Sequence, residues 1–396
     1  MNPLLQSLQP YPFERLKQLF STVTPSAKYP SISLGIGEPR HATPQLVLDA
    51  LASSTSALSS YPATAGLPAL RQSCANWLQR RYGLTLDPDT QTLPINGSRE
   101  ALFAFAQTVV DGSKAGATVV CPNPFYQIYE GATLLAGAQA FYAPSDPALN
   151  FNVDWGKVPE AVWKNTQLLF VCSPGNPTGS VMPLADWKTL FELSDRYGFV
   201  IASDECYSEI YFREEPPLGG LEASYKLGRT NYKNLVAFTS LSKRSNVPGM
   251  RSGFVAGDAN LLKQFLLYRT YHGSAMSGLV QAASIAAWND EAHVVANRDM
   301  YRQKFAAVTP LLAQVLDVKL PDAGFYLWAA VPSGDDQAFA RDLLAQYNVT
   351  VLPGSFLARE AQGFNPGAGR IRMALVAETQ ECMQAAQRIV EFVQRP

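Results

Sequence analysis

The run NLVAFTSLSK, residues 234–243, continues directly into RSNVPGMRSG, residues 244–253, and this junction decides the architecture. A strand rich in β-branched and aromatic residues that ends in a lysine, followed by a small-residue Pro/Gly stretch, predicts that Lys243 stands in a tight loop at the rim of a sheet. There a carbonyl compound could reach its amine and form a Schiff base. One lysine decides little, because the chain has 32 Lys plus Arg and most such groups are solvated. The residues around it carry the argument.

Outward from Lys243, short apolar runs alternate with helical patterns. ATVVCP (117–122), QLLFVCSP (167–174), FVIASDE (199–205) and SGFVAGD (252–258) read as strands, whereas 67–82 and 99–110 read as helices. This alternation predicts an α/β domain with a mostly parallel sheet. After Met276 the pattern changes to long helices, then the strand AGFYLWAAV (323–331) and a final strand and helix. The expected division is a large domain over residues 45–285, with residues 1–44 and 286–396 forming an N-terminal arm and a smaller α+β domain. The arm is proline-rich, with a short helix at 13–20; it is either a flexible end or a segment packed on another subunit, and its leucines and phenylalanines favour packing.

A chain of 396 residues, 47% hydrophobic and 16% charged, is large enough for two cores. Its net charge of −1, without blocks of like charge, gives no attraction to nucleic acid or an anionic membrane, which leaves a small-molecule partner. Five widely spaced cysteines without a C-x-x-C pair argue against a metal centre and for a reducing, cytoplasmic setting. No apolar run approaches the roughly 20 residues needed to span a bilayer.

Four further segments carry candidate chemistry. Ser240 and Arg251 flank Lys243 and could hold a phosphate beside its amine, or form only a capped turn and a surface arginine. In INGSREALF (95–103) a strand turns through Gly97 and Ser98 into a helix, a place where backbone N–H groups accept an anion or merely begin a helix. Asp204 interrupts the apolar strand of FVIASDECY with Tyr207 three residues on, and a buried acid needs a partner such as a protonated ring nitrogen. Asn176, in FVCSPGNPTG (170–179), can donate to a phenolate-like oxygen. Arg372, in GRIRMALV, is costly in an apolar strand unless a carboxylate pairs with it; an internal salt bridge, or Arg370 in its place, fits the same pattern.

Taken together, GIGEP (35–39), YPATAGLPALR (61–71), NGSRE (96–100), PNPFYQIY (122–129), SPGNPTG (173–179), SDECY (203–207), SLSKRSNVPGMRSG (240–253) and RIRMAL (370–375) resemble, in order and spacing, the class I, fold type I aminotransferases that use pyridoxal 5′-phosphate. The resemblance implies that Lys243 carries the cofactor as a Schiff base and that Asp204 pairs with its pyridine nitrogen. It further implies that Tyr207 and Asn176 contact the ring oxygen and Tyr126 stacks on the ring. Ser98, Ser240 and Arg251 hold the phosphate, helped by the backbone amides of Gly97 and Arg99. Tyr61 reaches the phosphate from a neighbouring subunit of a homodimer, and Arg372 holds the substrate α-carboxylate beside Gly37. Lys243, Asp204 and Tyr207 are the catalytic set, the lysine moving the proton at the substrate Cα.

Within that family, 33–44, 240–258 and YRTYHGSAMSG (268–278) look like bacterial N-succinyldiaminopimelate aminotransferases. The implied reaction exchanges an amino group between glutamate and N-succinyl-2-amino-6-oxopimelate in lysine biosynthesis, with glutamate as amino donor and an oxoacid as acceptor. An aspartate, aromatic or broad-specificity aminotransferase and a β-lyase are the alternatives. The extra carboxylates of such a substrate call for polar groups beyond Arg372, and Arg40, His41, Arg269, Tyr271 and His272 are the candidates.

Overall fold

The apolar runs become neighbours in one eight-stranded sheet. Its spatial order is Thr92–Ile95, Gly253–Gly257, Leu235–Ser240, Val200–Asp204, Thr166–Cys172, Thr118–Asn123, Gln139–Asp146 and Asn152–Val153. The structure, a computed structural model, describes residues 1–273 and 275–395. The central strands run parallel from Leu235–Ser240 through Gln139–Asp146, while Gly253–Gly257 is antiparallel to both of its neighbours. The sheet is thus mostly parallel, as the alternation of runs predicts.

These strands read as continuous apolar runs because both faces are covered. Leu169, Val171, Ile201, Leu235 and Ala237 face a core containing Trp77, Trp187 and Trp288. Their alternates Leu168, Phe170, Val200, Ala202, Val236 and Phe238 face Phe105, Tyr129 and Phe265. Each large apolar side chain withdrawn from water in this way contributes about 1.5–3 kcal/mol. The covering helices show ordinary terminal chemistry: Pro68–Tyr82 begins on a proline and ends at Gly83, whose φ of 70° closes the last turn.

A three-stranded antiparallel sheet, Tyr326–Ala330, Arg370–Ala374 and Leu352–Pro353, makes the second sheet layer. Helices Ala292–Leu312, Asp336–Tyr347 and Thr379–Gln394 pack against it around Tyr301, Phe305, Leu343, Ile371 and Ile389. The early chain joins this unit: Ile32–Ser33 pairs in parallel with Val349–Thr350, and Leu34 accepts a hydrogen bond from the Ala374 amide at 2.7 Å. The arm also packs on its own chain. Leu16, on helix Pro12–Leu19, is buried with Trp328, Leu352, Phe356 and Leu357, while Leu4, Leu5 and Leu8 remain exposed.

Register sets the site. Cys172 lies opposite Asp204, and Asp204 opposite Phe238, so the C-terminal ends of successive parallel strands form one rim where loops converge.

Candidate active site

Lys243 sits just past that rim. The strand ends at Ser240 and the chain turns at once into a four-residue helix, Leu241–Arg244, so the lysine projects from a helical turn rather than from the loop expected of the sequence. Ser240 caps this turn, its Oγ accepting from the Ser242 amide at 3.1 Å. Lys243 Nζ donates to the Gly37 carbonyl at 2.9 Å. Burial disfavours the ammonium and pulls its pKa down to about 8, with the positive charges of Arg372 and Arg251 acting in the same direction.

Asp204 ends its strand fully enclosed. Its Oδ2 accepts from Tyr129 Oη at 2.8 Å and its Oδ1 from the Cys206 amide at 3.3 Å. Burial raises its pKa and these hydrogen bonds oppose the rise. Among the described residues no cation forms an ion pair with it. A buried carboxylate in this state fits a protonated ring nitrogen, which supplies the missing positive charge.

The start of helix Ser98–Val109 is the place in this cavity that could hold a phosphate. Gly97, at φ 89°, precedes the helix, and a Cβ there would run into the Arg251 guanidinium. The close turn leaves the first-turn amides of the helix to face an anion. Ser98 Oγ accepts from the Cys206 thiol at 3.1 Å. Arg251 ion-pairs with Glu100 at 2.7 Å, and Ser240, Ser242 and Arg251 line the same cavity.

Arg372 holds the opposite wall. Its Nη1 donates to Asn176 Oδ1 at 3.1 Å and its Nη2 to the Gly35 carbonyl at 2.9 Å. A guanidinium only donates, so the oxygen of Asn176 faces Arg372 and its NH₂ is left to donate into the pocket. Arg372 Nε is buried without a partner among the described residues, as suits a group awaiting a carboxylate. Arg370, two residues earlier at the start of the strand, lies over the Phe151 ring and does not line the cavity.

The cavity, about 440 Å³, brings together Gly37, Ser98, Arg99, Tyr126, Asn176, Asp204, Tyr207, Ser240, Lys243, Arg251 and Arg372. Gly97 adjoins it through the Arg251 contact. Tyr61 is fully exposed and is not part of this wall.

Of the candidates for the far end of the substrate, none lines the cavity. Arg40 pairs with Glu381 at 3.2 Å. His41 is buried between Asn297 and Lys304. Arg269 is buried and donates to the Pro94 carbonyl, so its charge is spent on the sheet backbone. Tyr271 and His272 are exposed, and Ser274 of the same stretch lies outside the described residues.

The structure adds residues the motifs do not reveal. Tyr11, Pro12 and Phe13 of the arm, Glu38, Tyr326 and Leu357 also line the cavity. Tyr326 Oη meets Tyr207 Oη at 3.0 Å, and a Cβ on Gly37 would run into the same hydroxyl. Arg99, expected to act through its backbone, presents its guanidinium, with Nε donating to Tyr126 Oη at 2.7 Å. An alternating strand and a proline-rich arm gave no local sign that these side chains converge.

A buried low-pKa lysine, an enclosed carboxylate, a helix-start anion cradle and a carboxylate-seeking arginine at the rim of a mostly parallel sheet define a fold type I pyridoxal-phosphate enzyme. The profile of the class I and II aminotransferases matches residues 29–389, and the chain belongs to that family. It is similar over the full length of both chains to an aminotransferase from Neisseria meningitidis, at 58% identity and a TM-score of 0.97. An LL-diaminopimelate aminotransferase from Dehalococcoides mccartyi is 30% identical over 395 residues, 98% of this chain and 97% of that one. A probable N-succinyldiaminopimelate aminotransferase from Thermus thermophilus is 25% identical with a TM-score of 0.84, covering 98% of this chain and 99% of the other. The cofactor is pyridoxal 5′-phosphate, and the enzyme is a transaminase of small molecules. Among the described residues no helix is long and apolar enough to cross a membrane.

Proposed function

We propose that this aminotransferase exchanges an amino group between glutamate and N-succinyl-2-amino-6-oxopimelate, giving N-succinyl-LL-2,6-diaminopimelate and 2-oxoglutarate. The observation that carries the reading is the set of cations on the cavity wall: Lys243, Arg251, Arg372 and Arg99. Lys243 takes the cofactor, Arg251 its phosphate and Arg372 the α-carboxylate. Arg99 is the cation left for a carboxylate far from the reacting carbon. The names of the relatives, both concerned with diaminopimelate, support the same substrate class.

Bound there, pyridoxal 5′-phosphate supplies an electron-accepting ring and an aldehyde carbon that takes up the amino nitrogen in one half-reaction and returns it in the other. The geometry supports the following part for the protein. Arg372 and Asn176 orient the substrate so that its Cα–H faces Lys243, whose desolvated amine removes and returns that proton. A positioned base of this kind is worth roughly 10² to 10⁴-fold in rate. Asp204 holds a proton on the ring nitrogen, and Tyr207, itself held by Tyr326, donates with Asn176 to the ring oxygen. Tyr61 is fully exposed, which supports its reaching the phosphate of a partner subunit in a homodimer.

A second reading is LL-diaminopimelate itself, with a free distal ammonium. Glu38 on the cavity wall favours it, because a carboxylate there could accept that ammonium. A panel with glutamate as donor, comparing the succinylated oxopimelate, its unacylated counterpart, oxaloacetate and aromatic oxoacids, separates the two. Preference for oxaloacetate or aromatic acids removes both readings. Pyruvate and ammonia released without any oxoacid acceptor would mark a β-lyase instead.

A further inference from the structure

His41 stands outside the cavity wall yet lies at the centre of a buried polar chain that reaches it. Its Nδ1 is 2.8 Å from Asn297 Oδ1, and its Nε2 is 3.0 Å from Lys304 Nζ. Asn297 Oδ1 also accepts from Asn246 Nδ2 at 3.0 Å, and Asn297 Nδ2 donates to the Lys243 carbonyl at 3.3 Å. These contacts fix the amide, and with it the imidazole. Facing an oxygen acceptor, Nδ1 must carry the proton; facing an ammonium, Nε2 must offer its lone pair.

Three parts of the chain meet here. Asn297, Tyr301 and Lys304 come from helix Ala292–Leu312, Asn246 follows the Lys243 turn, and His41 ends the segment that contains Gly35, Gly37 and Glu38. Thr43, two residues on, donates to the Asn246 carbonyl at 3.3 Å. The Gly37 carbonyl accepts from Lys243 Nζ, and the Gly35 carbonyl accepts from Arg372.

We propose that His41 is a positioning residue of the reaction: by bridging Asn297 and Lys304 it locks the Gly35–Glu38 lip of the pocket against the Lys243 turn and the second unit's helix, and so sets both Lys243 and Arg372. The lock holds only one protonation state. An added proton on Nε2 would face the Lys304 ammonium at the same 3.0 Å. Burial, more than any other influence, and Lys304 both hold the imidazole's pKa below its usual value; the Asn297 hydrogen bond and Glu378 oppose them. The other charged or titratable groups around the pair are Arg40 on its own segment, ion-paired with Glu381, Tyr301 tilted against the ring, and Cys382 and Glu381 acting on Lys304. Acidification therefore releases the lip, weakening the hold on the amino donor before the fold is lost.

The inference rests on Lys243 being the cofactor lysine, and the test separates the two. The holoenzyme, His41→Gln and Lys304→Met are compared for kcat/KM with glutamate from about pH 5 to 9, with the visible cofactor band and thermal melting read on the same samples. The wild type is expected to lose activity on an acid limb with its band and melting intact. That limb should flatten in His41→Gln, and it should move upward by about 1 pH unit or more in Lys304→Met, because an imidazolium there no longer faces an ammonium. A protein whose role at His41 is only structural would lose rate evenly across pH. An acid limb that is absent from the wild type, or that stays in place in both variants, overturns the proposal. A wild-type band that survives borohydride treatment unchanged removes the Lys243 assignment, and the proposal with it.

Discussion

Replacing Arg99 by glutamine tests the assignment that most separates this site from a generic transaminase. The substitution keeps the backbone amide at the start of helix Ser98–Val109, so the phosphate cradle is undisturbed. What is lost is the guanidinium, together with its 2.7 Å bond to Tyr126. A hydrogen bond to a charged group contributes about 1.5–3 kcal/mol, and the exposure of Arg99 places it at the low end, because water competes for the same donors. About 1.5 kcal/mol corresponds to roughly a tenfold loss in kcat/KM. The assay compares two oxoacid acceptors that differ only in whether the distal carboxylate is free or amidated. The tenfold loss is expected for the free acid and little change for the amide, with Arg99→Lys retaining part of the preference. Equal losses for both acceptors would show that Arg99 acts on the cofactor or the fold, and no loss for either would show that another group binds the distal end.

Three more outcomes can be checked. Lys243→Ala should abolish the borohydride-trapped mass increment of the cofactor, and a retained increment on another peptide would move the attachment site. Arg372→Ala should raise KM for donor and acceptor together, because both present an α-carboxylate to one guanidinium; a rise for only one contradicts a shared site. In the apoenzyme, Lys243, depressed from 10.5 to about 8, binds fewer protons folded than unfolded between those values, so stability should rise with pH across that window. The penalty relieved amounts to about 3 kcal/mol. The Tm difference between Lys243→Met and the wild-type apoenzyme should accordingly narrow from pH 8 towards 10.5, and a constant difference would deny the buried ammonium.

The strands around Lys243, Asp204 and Asn176 were legible because both faces of a buried parallel sheet are apolar, so a polar residue at the end of such a run stands out. Gly97 and Ser98 were legible as a strand-to-helix turn. The far end of the pocket was not. Arg269 and His41 had the right chemistry and lie near cofactor motifs in the chain, but Arg269 serves the Pro94 carbonyl and His41 bonds Asn297 and Lys304. A charge is defined by what surrounds it, and a linear spacing does not say which way a buried side chain turns. The arm shows the same gap. Its apolar residues announced packing, yet the surface it covers, around Phe356 and Leu357, lies more than 300 residues further along the chain.

Local runs of a few residues suffice to encode the α/β alternation, a lysine just past a strand end and the polar residues that interrupt apolar strands. Tertiary structure alone decided that Arg372 rather than Arg370 faces the pocket, that Arg99 offers its side chain, and that Tyr326, Glu38 and the arm complete the wall. Those choices depend on position along the strand, on the approach of two sheets and on which partners each charge finds once water is excluded.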